Sequence, residues 1–249
     1  MRPLFLIAAA SAVSAQHYEN LDAVLWAQTS VEFQASVRQV YVAARASLDR
    51  ALATPYWTAV SELPGVNLDR PPAIILDVDE TVVDNSSYRA RLLKSGGKPF
   101  ALDSWNAWVK ESKAPLLPGA REFLDYAKMR GVRIFFVTNR DCKAEMSDTT
   151  FRNLQELGLG GELKCRESTS DKGPRRAAIA ADYRVLLLIG DDINDFFTPP
   201  ATLEGRQQML DRYAQFFGDR WFLVPNPMYG SWERPFGDNL QKKLGALRP

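Results

Sequence analysis

Four short runs of this chain are apolar nearly throughout rather than at alternate positions: Ala73 to Leu76, Val132 to Val137, Val185 to Ile189 and Trp221 to Val224. Strands of that kind must be covered on both faces, which a sheet with one wet face does not provide. Patterns of helical period lie between them, from Ala120 to Arg130, Ala144 to Leu157 and Lys172 to Tyr183. The first two close on Gly131 and Gly158, residues suited to the left-handed position after a helix. Strands alternating with helices predict an α/β fold, a parallel sheet flanked by helices with right-handed crossovers. In such sheets ligands gather outside the carboxyl ends of the strands.

The rest of the chain divides around this core. Apolar residues recur at helical spacing from Leu21 to Leu52, and Pro55, Pro64, Pro71 and Pro72 then interrupt the pattern. We therefore read residues 16–70 as an N-terminal helical segment and 71–249 as the core. A mostly helical, cap-like insertion at about 85–118, carrying Trp105 and Trp108, stands over the carboxyl edge of the sheet. With 249 residues, 46% of them hydrophobic, one large core with a helical appendage can be buried.

Residues 1–15 differ in character from the remainder of the chain. Arg2 supplies a positive start, Leu4 to Val13 is a short apolar run, and Val13-Ser14-Ala15 offers small residues for cleavage, the pattern of a secretory signal. The expected location is periplasmic or secreted. Removing those residues takes away one Arg and no acid, so the formal charge falls from +1 to 0. Near-neutrality disfavours a nucleic-acid polymer or anionic membrane as partner, and no later run has the length of a transmembrane helix. Cys142 and Cys165 form a disulfide or remain two thiols; sequence does not choose between these. Histidine chemistry is disfavoured because the single histidine, His17, lies close to the cleavage point.

Acidic and polar groups cluster where the apolar runs end. Asp77-Val78-Asp79 follows the first, Thr138-Asn139-Arg140 the second and Gly190-Asp191-Asp192 with Asp195 the third, while Asp171-Lys172-Gly173 opens a helix. Each alone would be a cap or turn. Together, an acid pair, a hydroxyl with an amide, a lysine and a second acid cluster are the groups that bind a metal phosphate and transfer its phosphoryl group.

This ordered set resembles the haloacid dehalogenase superfamily, a Rossmann-like fold, and more narrowly its bacterial class C nonspecific acid phosphatases, which include lipoprotein 5'-nucleotidases. Flanking segments sharpen the likeness: Leu25 to Ser30, Asp84 to Tyr88, Trp105 to Trp108 and Val224 to Trp232. Many members carry a lipid-anchoring cysteine after the signal, whereas Ala15-Gln16-His17 has none.

The resemblance implies one Mg²⁺ held by the Asp77 carboxylate, the Asp79 carbonyl and the Asp191 carboxylate, with Asp192 or Asp195 supporting the site. It implies Asp77 as nucleophile, forming an aspartyl phosphate, and Asp79 as general acid and then base. Neighbouring carboxylates tend toward one protonated and one ionised member, so a protonated Asp79 beside an ionised Asp77 is expected, and activity should fall as pH rises. Thr138, Asn139 and Lys172 would bind the phosphate, and Trp105 and Tyr229 would stack on a base or aryl ring. Tyr88 and Trp108 are open between core and substrate contact. The implied activity is hydrolysis of small phosphomonoesters, 5'-nucleotides and aryl phosphates. An alternative is a phosphoacceptor or binding protein on the same fold without rapid turnover. Monomer and homodimer are both open.

Overall fold

The structure, a computed structural model, describes residues 20–60, 69–237 and 239–248. The segment read as a signal, residues 1–15, and His17 lie outside them. In chain order the elements are α1 (Leu21–Thr29), α2 (Val31–Ala53), β1 (Pro72–Leu76), α3 (Ser86–Lys94), α4 (Leu102–Glu111), α5 (Ala120–Met129), β2 (Arg133–Asp141), α6 (Ala144–Glu156), β3 (Glu162–Arg166), α7 (Gly173–Asp182), β4 (Arg184–Gly190), α8 (Leu203–Tyr213), β5 (Trp221–Leu223) and α9 (Leu240–Ala246). The strands form one parallel sheet in the order β3-β2-β1-β4-β5. Among the described residues no helix is long and apolar enough to cross a membrane.

Period-two alternation sends successive strand residues to opposite cores. Ile74, Leu76, Ile134, Phe136 and Ile189 face one core, which contains Tyr41 of α2 and Phe123 of α5. Ala73, Ile75, Phe135, Val137 and Leu188 face the other, with Ile179 of α7, Phe196 and Trp221. One irregularity interrupts the pattern: Ala73 pairs with Val185 but Ile74 with Leu187, leaving Leu186 as an extra residue. Leu186 and Leu187 therefore both belong to the first core. The Leu186 carbonyl accepts instead from the Trp57 indole at 2.8 Å.

Two expectations change. The apolar runs predict four strands, and the sheet has a fifth, β3, whose Glu162, Lys164 and Arg166 give it no apolar run. An edge strand tolerates such a sequence because it needs less cover than a central one. Cys165 of β3 is bonded to Cys142 just beyond β2, with Cα atoms 5.1 Å apart, so this edge is fixed covalently. The single helical pattern from Leu21 to Leu52 is divided at Ser30, whose backbone is extended and whose Oγ accepts from Phe33 N at 3.0 Å, capping α2.

Candidate active site

The chain runs outward from β1 to β2 and β3, then returns to the other side of β1 as β4. Loops leaving β1 and β4 diverge at this reversal and open a crevice. Asp77 follows β1 directly, and its N–H donates to Ile189 O in β4 at 3.0 Å. Asp191 follows β4, and the next turn, Ile193–Asp195, brings in Asp195. Carboxylate oxygens of Asp77, Asp191 and Asp195 all lie within 4.8 Å of one another.

Lys172, at the start of α7, places its ammonium between two of them, donating to Asp77 Oδ1 and, at 2.5 Å, to Asp195 Oδ1. The side chains of Lys172, Asp77 and Asp195 are 5%, 9% and 5% exposed, so the ion pairs are largely screened from water. Asp191 accepts from Thr81 Oγ1 at 3.1 Å and Asn226 Nδ2 at 2.8 Å, which orient its carboxylate. The Thr81 carbonyl in turn accepts from Tyr41 OH at 2.5 Å, joining α2 to the loop after β1. Gly190 is required for packing, because a Cβ there would overlap the Asp195 carboxylate.

Asp79 sits in a second network. Its Oδ1 accepts from Arg140 Nη2 at 2.6 Å, Arg140 Nε at 3.0 Å and Asn85 Nδ2 at 2.9 Å. Arg140 is 2% exposed and Asp79 17%, so the guanidinium forms a wall and the carboxylate faces the crevice. Asn85 is oriented by Trp108, whose indole donates to Asn85 Oδ1 at 2.8 Å, and its own N–H donates to Glu80 Oε1 at 2.8 Å. Glu80 adopts a left-handed φ of 55°, which turns the chain between Asp79 and the insertion.

A cavity of about 280 Å³ is lined by Asp77, Asp79, Asn139, Lys172, Asp191, Asp192, Asp195, Trp105 and Tyr229, together with Arg140 and Arg89. Thr138 lies behind this wall, fully buried, its Oγ1 accepting from Arg140 N at 3.1 Å. Asn139 is held by Arg175, which donates to its Oδ1 at 2.7 Å. Asp192 accepts from Asn194 N at 2.9 Å, Ser231 Oγ at 2.6 Å and Ser231 N. Its carboxylate therefore ties the loop carrying Tyr229 to the end of β4. Tyr88 and Trp108 are buried, and Tyr88 packs edge-on against Trp105 with ring centroids 5.2 Å apart.

The sequence matches, over residues 6–232, the family model described as HAD superfamily, subfamily IIIB (acid phosphatase). The chain belongs to this acid phosphatase family. Its structure is similar to that of the class C acid phosphatase from Bacillus anthracis, at 29% identity over 94% of this chain and 98% of that one, with a TM-score of 0.82. A crystal structure of the Bacillus anthracis enzyme with tungstate bound is similar at 29% identity, covering 93% and 97% of the two chains, with a TM-score of 0.81. The protein is thus an acid phosphatase, a hydrolase of phosphoric monoesters.

The electrostatics of the phosphatase follow from its geometry. Burial pushes the Asp77 carboxyl up to about 7, against the pull of Lys172, with Asp195 and Asp79 adding repulsion. Burial and then Asp77 hold Asp191 well above the usual carboxylate range, and burial also raises Asp195. Burial works against the charge of Lys172, but Asp195 and Asp77 overcome it and its pKa is raised. Three clustered carboxylates against one ammonium leave a surplus of two negative charges when all are ionised. A surplus of buried, hard oxygen donors fits a divalent cation. Without that cation the electrostatic cost falls on Asp77.

Arg140, Asn85, Asn226 and Arg89 carry no role that the sequence alone predicts. The first three lie inside recognised segments, but their function depends on contacts between segments. Arg89 has only its helical surroundings to mark it.

Proposed function

We propose that this phosphatase hydrolyses small phosphomonoesters, 5'-nucleotides and aryl phosphates, with Mg²⁺ and through an aspartyl phosphate on Asp77. The observation that carries the reading is the meeting of Asp77, Asp191 and Asp195, drawn from separate segments, around a common point with Lys172 beside them. Similarity to a phosphatase crystallised with tungstate supports a site for a tetrahedral oxyanion.

The Asp77 carboxylate, the Asp79 carbonyl and the Asp191 carboxylate would hold the ion, with Asp195 adjacent. When bound, a divalent cation neutralises carboxylates and phosphate oxygens that otherwise repel the nucleophile. An Asp77 oxygen attacks phosphorus as the ester oxygen departs. Lys172 compensates charge on the nucleophile and the transferring group, and the Asn139 N–H and Thr138 hydroxyl are the proposed donors to phosphate oxygens. Asp79 gives its proton to the leaving oxygen and later receives one from the attacking water. To donate that proton Asp79 must first carry it, and its Oδ1 can stay held by Arg140 and Asn85 while Oδ2 bears the proton. Trp105 and Tyr229 take the ring of the leaving group, and secretion follows from the reading of residues 1–15.

The test uses purified protein and p-nitrophenyl phosphate at mildly acidic pH. Hydrolysis lost in EDTA and restored by Mg²⁺ is expected. Turnover insensitive to EDTA would overturn the metal assignment.

A further inference from the structure

The reaction chamber is small for a nucleotide. Its volume of about 280 Å³ lies at the lower end of small-molecule sites. It continues into a second chamber of about 800 Å³ that shares six lining residues with it: Arg89, Phe100, Tyr229, Gly230, Ser231 and Arg234. Phosphomonoesters larger than the first chamber extend into the second.

The two chambers differ in charge. Five aspartates and four basic residues line the first, a formal balance of −1. Arg89, Lys98, Arg234 and Lys243 line the second, with Glu233 as its acid among the described residues. Glu233 is engaged in its own turn, accepting from Gly230 N at 3.3 Å. A site with a cation-seeking end and a strongly basic end selects a ligand whose anionic groups lie apart.

Arg89 stands where the chambers meet. Its guanidinium lies 4.0 Å from the ring centroid of Tyr229 and 5.7 Å from that of Phe100. No carboxylate lies within ion-pair distance of it among the described residues, Glu80 and Glu233 acting on it only from further off, and its buried Nε has no hydrogen-bond partner. Partly buried guanidinium groups are normally paired, and an oxyanion is their geometrically matched ligand. Phe100 and Tyr229 give this same neck an aromatic wall suited to a ring.

We propose that the preferred substrates are phosphomonoesters whose leaving group carries a second phosphate, received by Arg89 and Arg234 beyond the aromatic neck. The inference rests on the phosphatase reading above and names the substrate class of that site.

Initial rates of phosphate release, measured with Mg²⁺ present, would compare adenosine 3',5'-bisphosphate, adenosine 5'-monophosphate and p-nitrophenyl phosphate. The expected kcat/KM for the bisphosphate exceeds that for the monophosphate by roughly tenfold, mainly through KM, a factor equal to about 1.4 kcal/mol. Arg89→Gln and, independently, the exposed Arg234→Gln should each narrow that ratio several-fold. Added salt should narrow it too. Equal kcat/KM for the two nucleotides, or a ratio unchanged in both variants, overturns the inference while p-nitrophenyl phosphate turnover leaves the phosphatase reading standing. No hydrolysis of any of the three would remove that reading and this inference with it.

Discussion

Replacing Lys172 by Met removes the cation between two buried carboxylates while keeping an unbranched side chain of similar length. Lys172 donates to Asp77 and, at 2.5 Å, to Asp195, and all three side chains are at most 9% exposed. Removing one partner of a buried pair costs about 3–5 kcal/mol, because the other charge stays desolvated. For a domain of this size that corresponds to a loss of roughly 6–20 °C in Tm. The loss must grow with pH. Asp77 has a folded pKa raised from 3.8 to about 7, so the folded state holds its proton more tightly than the unfolded chain. Its contribution is therefore most favourable below the unfolded value and is lost as pH rises through the folded one. Lys172 is the main group pulling that pKa down, so without it the unfavourable window extends to higher pH. Thermal unfolding followed by circular dichroism in EDTA, at about pH 5 and pH 8, measures the effect. Excess Mg²⁺ should then recover part of it, by binding only the folded carboxylates. A variant within about 2 °C of the parent at both pH values would refute the reasoning, since a buried pair of this kind cannot be lost so cheaply.

Arg140→Lys keeps a positive charge but not the fork that holds Asp79, and kcat should fall roughly 10²-fold with KM little changed, as steady-state rates on an aryl phosphate would show. Gly190→Ala drives a methyl group into the Asp195 carboxylate. It should destabilise the fold by about 1–3 kcal/mol and weaken Mg²⁺ binding, read by denaturant unfolding and by metal titration. Reducing the bond between Cys142 and Cys165, 23 residues apart, should cost about 3 kcal/mol of stability, measured as a shift in the unfolding midpoint with and without reductant.

The central strands are legible in the sequence because β1, β2 and β4 are covered on both faces and therefore carry near-continuous apolar runs. β3 is not, since an edge strand with Glu162, Lys164 and Arg166 is under little apolar pressure. The break at Ser30 escapes periodicity because one capped, extended residue interrupts the helix without disturbing the spacing of apolar residues. At the site, the meeting of Asp77 with Asp191 follows from parallel topology, which puts strand ends on one edge. What Arg140 and Asn85 do cannot be read from their own neighbourhood, because Asp79 lies 61 and 6 residues away from them and the contacts depend on how the loop after β1 meets β2 and the start of α3. Spacing alone suggests which two acids are neighbours, whereas the depth that pushes the Asp77 carboxyl up depends on the fold.

Nucleophilic attack by Asp77 is tested most directly by acid-quenching the enzyme during turnover and mapping phosphorylated peptides by mass spectrometry. The account predicts one phosphoryl group on the peptide containing Asp77, absent from Asp77→Asn, which should also lack turnover. Asp77→Asn protein that hydrolyses substrate at a substantial rate, or a phosphoryl group found on another residue, would contradict it.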